Sequence, residues 1–171
     1  LGRPYDAGGA WAASAPADAA LLQRLLSEPY LARPAPKSTG RELFHRAWLD
    51  ARLAGGGWAP AVVQSTLCEY TAATIADAIR ALPGPPPEEL LVCGGGAFNT
   101  ALMRRLAAQL PGIVVADTGA RGVAPAQVDG LIKLGEQADD PGQHVQELFP
   151  VVSDPAVEFL EGPRPDRRPV G

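Results

Sequence analysis

The residues best suited to chemistry form a glycine-rich turn. Three glycines, Gly94 to Gly96, follow the apolar run Leu90 to Cys93 and precede a segment of helical periodicity that starts at Asn99. Glycine lacks Cβ, so the backbone can approach a ligand closely, and a helix start offers unpaired N–H groups and a positive dipole end. The turn therefore suits a nucleotide. A tight strand-to-helix turn that binds nothing is an equally good interpretation, since the pattern is neither a Walker A loop nor GxGxxG.

A second polar segment contains one lysine, two hydroxyls and one arginine next to a predicted helix start. These residues are Lys37, Ser38, Thr39 and Arg41. Such a group could hold an anionic or sugar ligand. The alternative is a capping box, in which Thr39 and Glu42 satisfy exposed amides and the charges stay in water. The residues alone favour the cap.

The remaining titratable residues do not form a recognisable site. Asp129 lies in the first turn of a helix predicted to begin near Pro125, where a carboxylate interacts favourably with the helix dipole. His45 and His144 have no acidic or cysteine partner at ligand spacing, so neither a metal site nor a Ser/His/Asp triad is predicted. Cys68 and Cys93 are predicted to be reduced and buried.

The elements that position these residues are helices and two buried strands. The apolar runs at Leu90–Cys93 and Ile113–Ala116 are typical of strands buried on both faces. Helices are predicted over about Ala17–Ser27, Gly40–Ala54, Pro60–Leu82 and Asn99–Gln109. Strand, helix, strand, helix is an α/β order, and it predicts that the two strands pair in parallel. From Gly135 onward the pattern weakens.

Composition excludes several classes of function. The 171 residues carry a formal net charge of −4 and no compact basic cluster, which argues against a nucleic-acid surface. No apolar run approaches the roughly 20 residues needed to cross a bilayer. No signal peptide is recognisable, so a cytoplasmic location is expected. The sequence starts with Leu1 instead of methionine, and we expect it to begin inside a longer protein.

Three segments, in order, resemble the anhydro-N-acetylmuramic acid kinases. They are Pro4–Ala12 (Pro-Tyr-Asp-Ala-Gly-Gly-Ala-Trp-Ala), Pro34–Glu42 (Pro-Ala-Pro-Lys-Ser-Thr-Gly-Arg-Glu), and Leu91–Ala97 with Asn99. The resemblance implies a member of the actin, hexokinase and Hsp70-like superfamily, with two ribonuclease H-like lobes that close on ATP and Mg²⁺. It also implies cleavage of the 1,6-anhydro bond by water and phosphorylation of O6, giving N-acetylmuramic acid 6-phosphate in peptidoglycan recycling.

The resemblance also assigns residues to roles. Gly94, Gly95 and Gly96 match the glycine turn that faces the adenosine side of the nucleotide. Asn99 stands where the family also has asparagine, which makes it a candidate substrate contact. Asp129 falls where the family usually has a glutamate near the sugar. Lys37, Ser38, Thr39 and Arg41 match a family motif, which makes them candidate substrate contacts.

Departures from the family pattern limit what is expected of this chain. The family's Gly-Thr-Ser-x-Asp-Gly phosphate loop and its catalytic aspartate are not in the sequence, so we expect the chain alone to be inactive. Residues 1–134 are expected to form part of a C-terminal ribonuclease H-like lobe, with 135–171 a divergent, poorly ordered tail. A homodimer or a separate N-terminal lobe is a possible partner. The alternatives are a non-catalytic sugar- or nucleotide-binding or assembly module, and a non-functional relic.

Overall fold

The computed structural model describes residues 5–34, 37, 39–40 and 42–125, and the backbone of two further strands. The helices are α1 (Ala19–Leu26), α2 (Arg46–Leu53), α3 (Pro60–Arg80) and α4 (Thr100–Gln109). The strands are β1 (Glu89–Val92), β2 (Val114–Asp117), β3 (Ile132–Gly135) and β4 (Gln146–Leu148). The expected helix-rich α/β architecture is therefore confirmed.

The strands form one mixed sheet in the order β2-β1-β3-β4. β1 and β2 pair in parallel with Leu90 opposite Val115, which confirms the predicted parallel pair. β3 pairs antiparallel with β1, and β4 pairs antiparallel with β3; neither strand was predicted. The helix predicted to begin near Pro125 would occupy mainly residues 126–131, which lie outside the described residues.

The core consists of two clusters of buried side chains, and α3 contributes to both. One cluster joins the C-terminal part of α3 to β1 and α4, and includes Ala72, Ile75, Leu90, Leu102 and Leu106. The other joins the N-terminal part of α3 to α1 and α2, and includes Leu21, Leu25, Trp48, Leu67 and Tyr70. Burial of each large apolar side chain stabilises the fold by about 1.5–3 kcal/mol.

The observed helix boundaries agree with prediction except at the start of α2. Asp18 caps α1 by accepting a hydrogen bond from Leu21 N at 2.8 Å, and Pro60 opens α3 as predicted. α2 begins at Arg46, not near Gly40, and His45 Nδ1 caps it by accepting from Trp48 N at 3.2 Å. The backbone of His45 is extended there, with φ −125° and ψ 173°, which separates α2 from the preceding turn.

Candidate functional site

The glycine turn lies at the carboxyl end of β1. Leu90 and Val92 point into the core and anchor the strand. Gly94 follows with φ 68° and ψ −161°, a conformation that is essentially restricted to glycine. Its N–H donates to the carbonyl of Pro125 at 2.9 Å, and residues Gly95–Phe98 then form a 3₁₀ turn. The chain is therefore reversed within a few residues and delivered to α4.

The outer side of this turn is open. A Cβ built on Gly95 would meet no atom within 4 Å, and one on Gly96 would meet only Leu102 Cδ2, at 3.5 Å. Within the described residues, neither the N–H of Gly95 nor that of Gly96 has a hydrogen-bond acceptor. The turn thus presents two backbone donors beside a space that a polar group could enter.

Asn99 connects the turn to α4. Its N–H donates to Gly96 O at 3.0 Å, and its side-chain Oδ1 accepts from Leu102 N at 3.0 Å. Asn99 is buried, and this N-cap satisfies one of the otherwise unpaired amides at the start of α4. The side chain therefore stabilises the end of the turn, a role that was not predicted for it.

The N-terminal segment also packs against the start of α4. Gly9 is buried with φ +71°, and a Cβ at this position would lie 2.0 Å from Asn99 Oδ1 and 2.8 Å from Ala101 Cβ. Such close approach requires glycine. The first and third of the three family-like segments are therefore in contact. Sequence reasoning did not assign Gly9 a role, although the Asp-Ala-Gly-Gly pattern indicates a tight turn.

The Lys37 segment lies elsewhere, against the second core cluster. Lys37 Nζ donates to Leu31 O at 2.6 Å and lies 5.6 Å from the centre of the Tyr30 ring. Thr39 Oγ1 donates to Glu42 Oε1 at 3.3 Å, and the same oxygen accepts from Gly40 N at 2.8 Å. In the described part of the chain these two side chains have no polar contact with the glycine turn. Ser38, Arg41 and Asp129 lie outside the described residues.

Comparison with known proteins identifies the family. Residues 1–133 match the family model described as "Anhydro-N-acetylmuramic acid kinase". The chain belongs to the anhydro-N-acetylmuramic acid kinase family. A relative of that name from Cupriavidus pinatubonensis is 52% identical over 134 residues, which cover 77% of this chain and 36% of the relative. The relative from Xanthomonas campestris pv. campestris (strain 8004) is 49% identical over 130 residues, 76% of this chain and 34% of the relative.

The family match includes every described residue of the glycine turn and of the segment around Gly9. The Variovorax paradoxus kinase of the same name is 52% identical over 130 residues, 75% of this chain and 34% of the relative. The chain thus spans about a third of the length of the curated relatives it matches. The resemblance recognised from the three segments is confirmed.

The described residues of this kinase-family chain contain no cluster of three or more histidine, cysteine, aspartate or glutamate side chains that could hold a metal ion. In the same part of the chain, no helix has the length and apolar content to cross a bilayer. Near the Lys37 segment, hydrogen bonds from the backbone N–H groups of Glu42 and Gly40 lower the pKa of the Glu42 carboxyl. That exposed carboxylate is therefore a stable acceptor for the turn at residues 39–42.

Proposed function

We propose that this chain supplies the adenosine-facing glycine turn of an anhydro-N-acetylmuramic acid kinase. The complete enzyme would use ATP and water to convert 1,6-anhydro-N-acetylmuramic acid to N-acetylmuramic acid 6-phosphate, in cytoplasmic peptidoglycan recycling. Family membership supports the reaction, because the matched relatives carry that name. The observation that carries the assignment of this turn is the open space at Gly95, next to two backbone donors.

The turn fits a nucleotide on chemical grounds. Gly94 lets the chain reverse direction without a side chain, and the N–H groups of Gly95 and Gly96 can donate to ligand oxygens or ring nitrogens. The start of α4 directly follows the turn and contributes the positive end of a helix dipole. ATP supplies the phosphoryl group when bound. The residues described here would bind and orient the nucleotide, and such positioning accounts for much of the rate of phosphoryl transfer.

Mg²⁺ would enter with the nucleotide, because phosphate oxygens are its preferred ligands in kinases. We assign no described side chain to this ion. The sugar contacts proposed from the family resemblance are Asn99, Asp129, Lys37, Ser38, Thr39 and Arg41. Lys37 already donates to Leu31, just before the segment, and Thr39 to Glu42 within it, so their contribution would be to order that segment around the substrate.

The experiment is a calorimetric titration of the chain with ATP and Mg²⁺, repeated on Gly95→Ala. The new methyl group meets nothing within the protein, so the melting temperature should not change. If the nucleotide occupies the open space, affinity should fall about tenfold or more, since a close backbone approach is lost. Gly57→Ala is the matched control, because a Cβ there also meets nothing within 4 Å. Equal ATP affinity in wild type and Gly95→Ala would contradict the proposed site.

The expectation that the chain alone does not turn over ATP stays a prediction. Phosphate release would be measured with ATP, Mg²⁺ and 1,6-anhydro-N-acetylmuramic acid at saturating concentrations. ATP binding without phosphate release is the expected result. Sustained phosphate release in proportion to the concentration of the purified chain would show that this chain contains its own catalytic residues.

A further inference from the structure

The carboxylate of Asp6 closes the loop that carries Gly9. Its Oδ1 accepts from Trp11 N at 2.8 Å, and its Oδ2 accepts from Ala12 N at 2.9 Å. The backbone carbonyl of Asp6 also accepts from Gly9 N at 3.1 Å. Three hydrogen bonds thus hold a loop of seven residues, and both carboxylate oxygens are used.

This loop is held in a specific position against α4. Ala12 is fully buried in the first core cluster, and its carbonyl accepts from Arg105 Nη2 at 3.3 Å. Arg105 also donates to Ser65 Oγ at 2.8 Å, so it joins the loop to both α3 and α4. Gly9 is pressed against Asn99, leaving no room for a side chain. Asn99 in turn bonds to Gly96 O on one side and to Leu102 N on the other.

We propose that Asp6 is a positioning residue for the glycine turn, acting through Gly9 and Asn99. The carboxylate fixes the loop, the loop fixes the Asn99 side chain, and Asn99 holds the end of the turn from which Gly95 and Gly96 present their N–H groups. The consequence for ligand affinity rests on the proposed nucleotide function, whereas the effect on Asn99 and α4 does not. Both carboxylate oxygens accept a backbone N–H. In Asp6→Asn the side-chain NH₂ group would therefore face one of these two N–H donors and could not accept its hydrogen bond.

Asp6→Asn tests the proposal by two separate readouts. The first is amide hydrogen exchange without nucleotide, in which Leu102 N–H and Asn99 N–H should exchange about tenfold faster, because a bond to a charged group and the alignment of the cap are lost. Exchange at Leu67 and Tyr70, in the second cluster, should speed up only as much as the small loss of global stability accounts for, and less than at Leu102. The second readout is ATP affinity, which should fall about tenfold while the melting temperature drops by only a few degrees. Asp77→Asn, at an exposed ion pair with Arg80, is the control.

Gly9→Ala breaks the same connection from the other side. The added Cβ would overlap Asn99 Oδ1, and Gly55→Ala is its matched control because Gly55 has a similar positive φ, +76°, with nothing within 4 Å. Both variants carry the backbone strain, and only Gly9→Ala should speed exchange at Leu102. Unchanged exchange at Leu102 in Asp6→Asn and Gly9→Ala would overturn the proposal, as would uniformly faster exchange throughout the chain. If wild type fails to bind ATP while Leu102 responds as expected, the positioning role stands and the proposed nucleotide function falls.

Discussion

Replacing Glu28 with alanine should destabilise the chain by about 3–5 kcal/mol, the usual cost of removing one partner from a buried ion pair. Glu28 is only 8% exposed. Its carboxylate accepts from Trp48 Nε1 at 2.8 Å, from Tyr30 N at 3.2 Å and from Arg52 Nη2. The Arg52 side chain is 19% exposed, and its guanidinium stacks on the Trp48 ring at 4.4 Å.

The magnitude follows from what the truncation leaves behind. Two N–H groups, on Trp48 and Tyr30, lose their acceptor in a buried site, at about 1–3 kcal/mol each, and Arg52 retains a partly buried charge. Glu28→Gln keeps the shape and one acceptor, so it should cost less, about 1.5–3 kcal/mol.

Urea denaturation, followed by tryptophan fluorescence and far-ultraviolet circular dichroism, measures these costs. Asp50→Ala removes an exposed ion pair with Arg46 and should change the free energy of unfolding by less than about 0.5 kcal/mol. Glu28→Ala combined with Arg52→Met should cost less than the sum of the two single changes, because the uncompensated charge is gone. A loss below about 1 kcal/mol for Glu28→Ala would refute the reasoning.

Three further predictions concern single groups. Asn99→Ala removes the cap on Leu102 N and should cost about 1 kcal/mol in thermal or urea unfolding, whereas Asn99→Asp should retain the cap. Burial, and secondly the negative charge of Glu28, raise the pKa of Tyr70. The contribution of the neutral hydroxyl to stability is therefore complete below about pH 10 and is lost as the pH rises further. Tyr70→Phe should resist alkaline unfolding better than wild type. The pKa of the Glu42 carboxyl is lowered, so its stabilising effect is complete above pH 4.5 and is lost as the pH falls through the pKa of the folded state. An NMR titration of Glu42 should show a midpoint below pH 4.5. Thr39→Ala should change this midpoint little, because the Thr39 hydrogen bond contributes least to lowering the pKa of Glu42.

Much of the positioning framework could be predicted from local patterns. The periodicity of α3, the apolar runs of β1 and β2, and the glycine stop after β1 are strong signals, and the helix, the two strands and the turn are all present. The prediction that β2 is buried on both faces was wrong, because β2 lies at the edge of the sheet and Val114 is 61% exposed. The glycine run was interpreted either as a ligand-facing turn or as a tight strand-to-helix turn, and the φ of 68° at Gly94 shows the backbone conformation that a tight turn requires. These features depend on residues close together in the sequence.

Features that depend on distant residues were missed. The helix predicted from the capping pattern at Thr39 starts only at Arg46, because the Glu42 carboxylate closes a local turn instead of a continuous helix. β3 pairs with β1 across more than 40 positions, and its sequence carries no distinct strand pattern. The contact between Gly9 and Asn99 likewise joins segments 90 residues apart. Spacing patterns within a short stretch of sequence do not predict such long-range contacts.

The sharing of α3 between the two core clusters has a consequence for cooperativity. The helix runs without interruption for 21 residues, with Leu67 and Tyr70 in one cluster and Ile75 and Ile79 in the other. Melting either half would expose buried side chains on the same continuous rod, so the region around Lys37 and the region around Gly94 unfold as a single unit. A substitution near Trp48 would therefore change the fraction of molecules with an intact glycine turn without touching that turn.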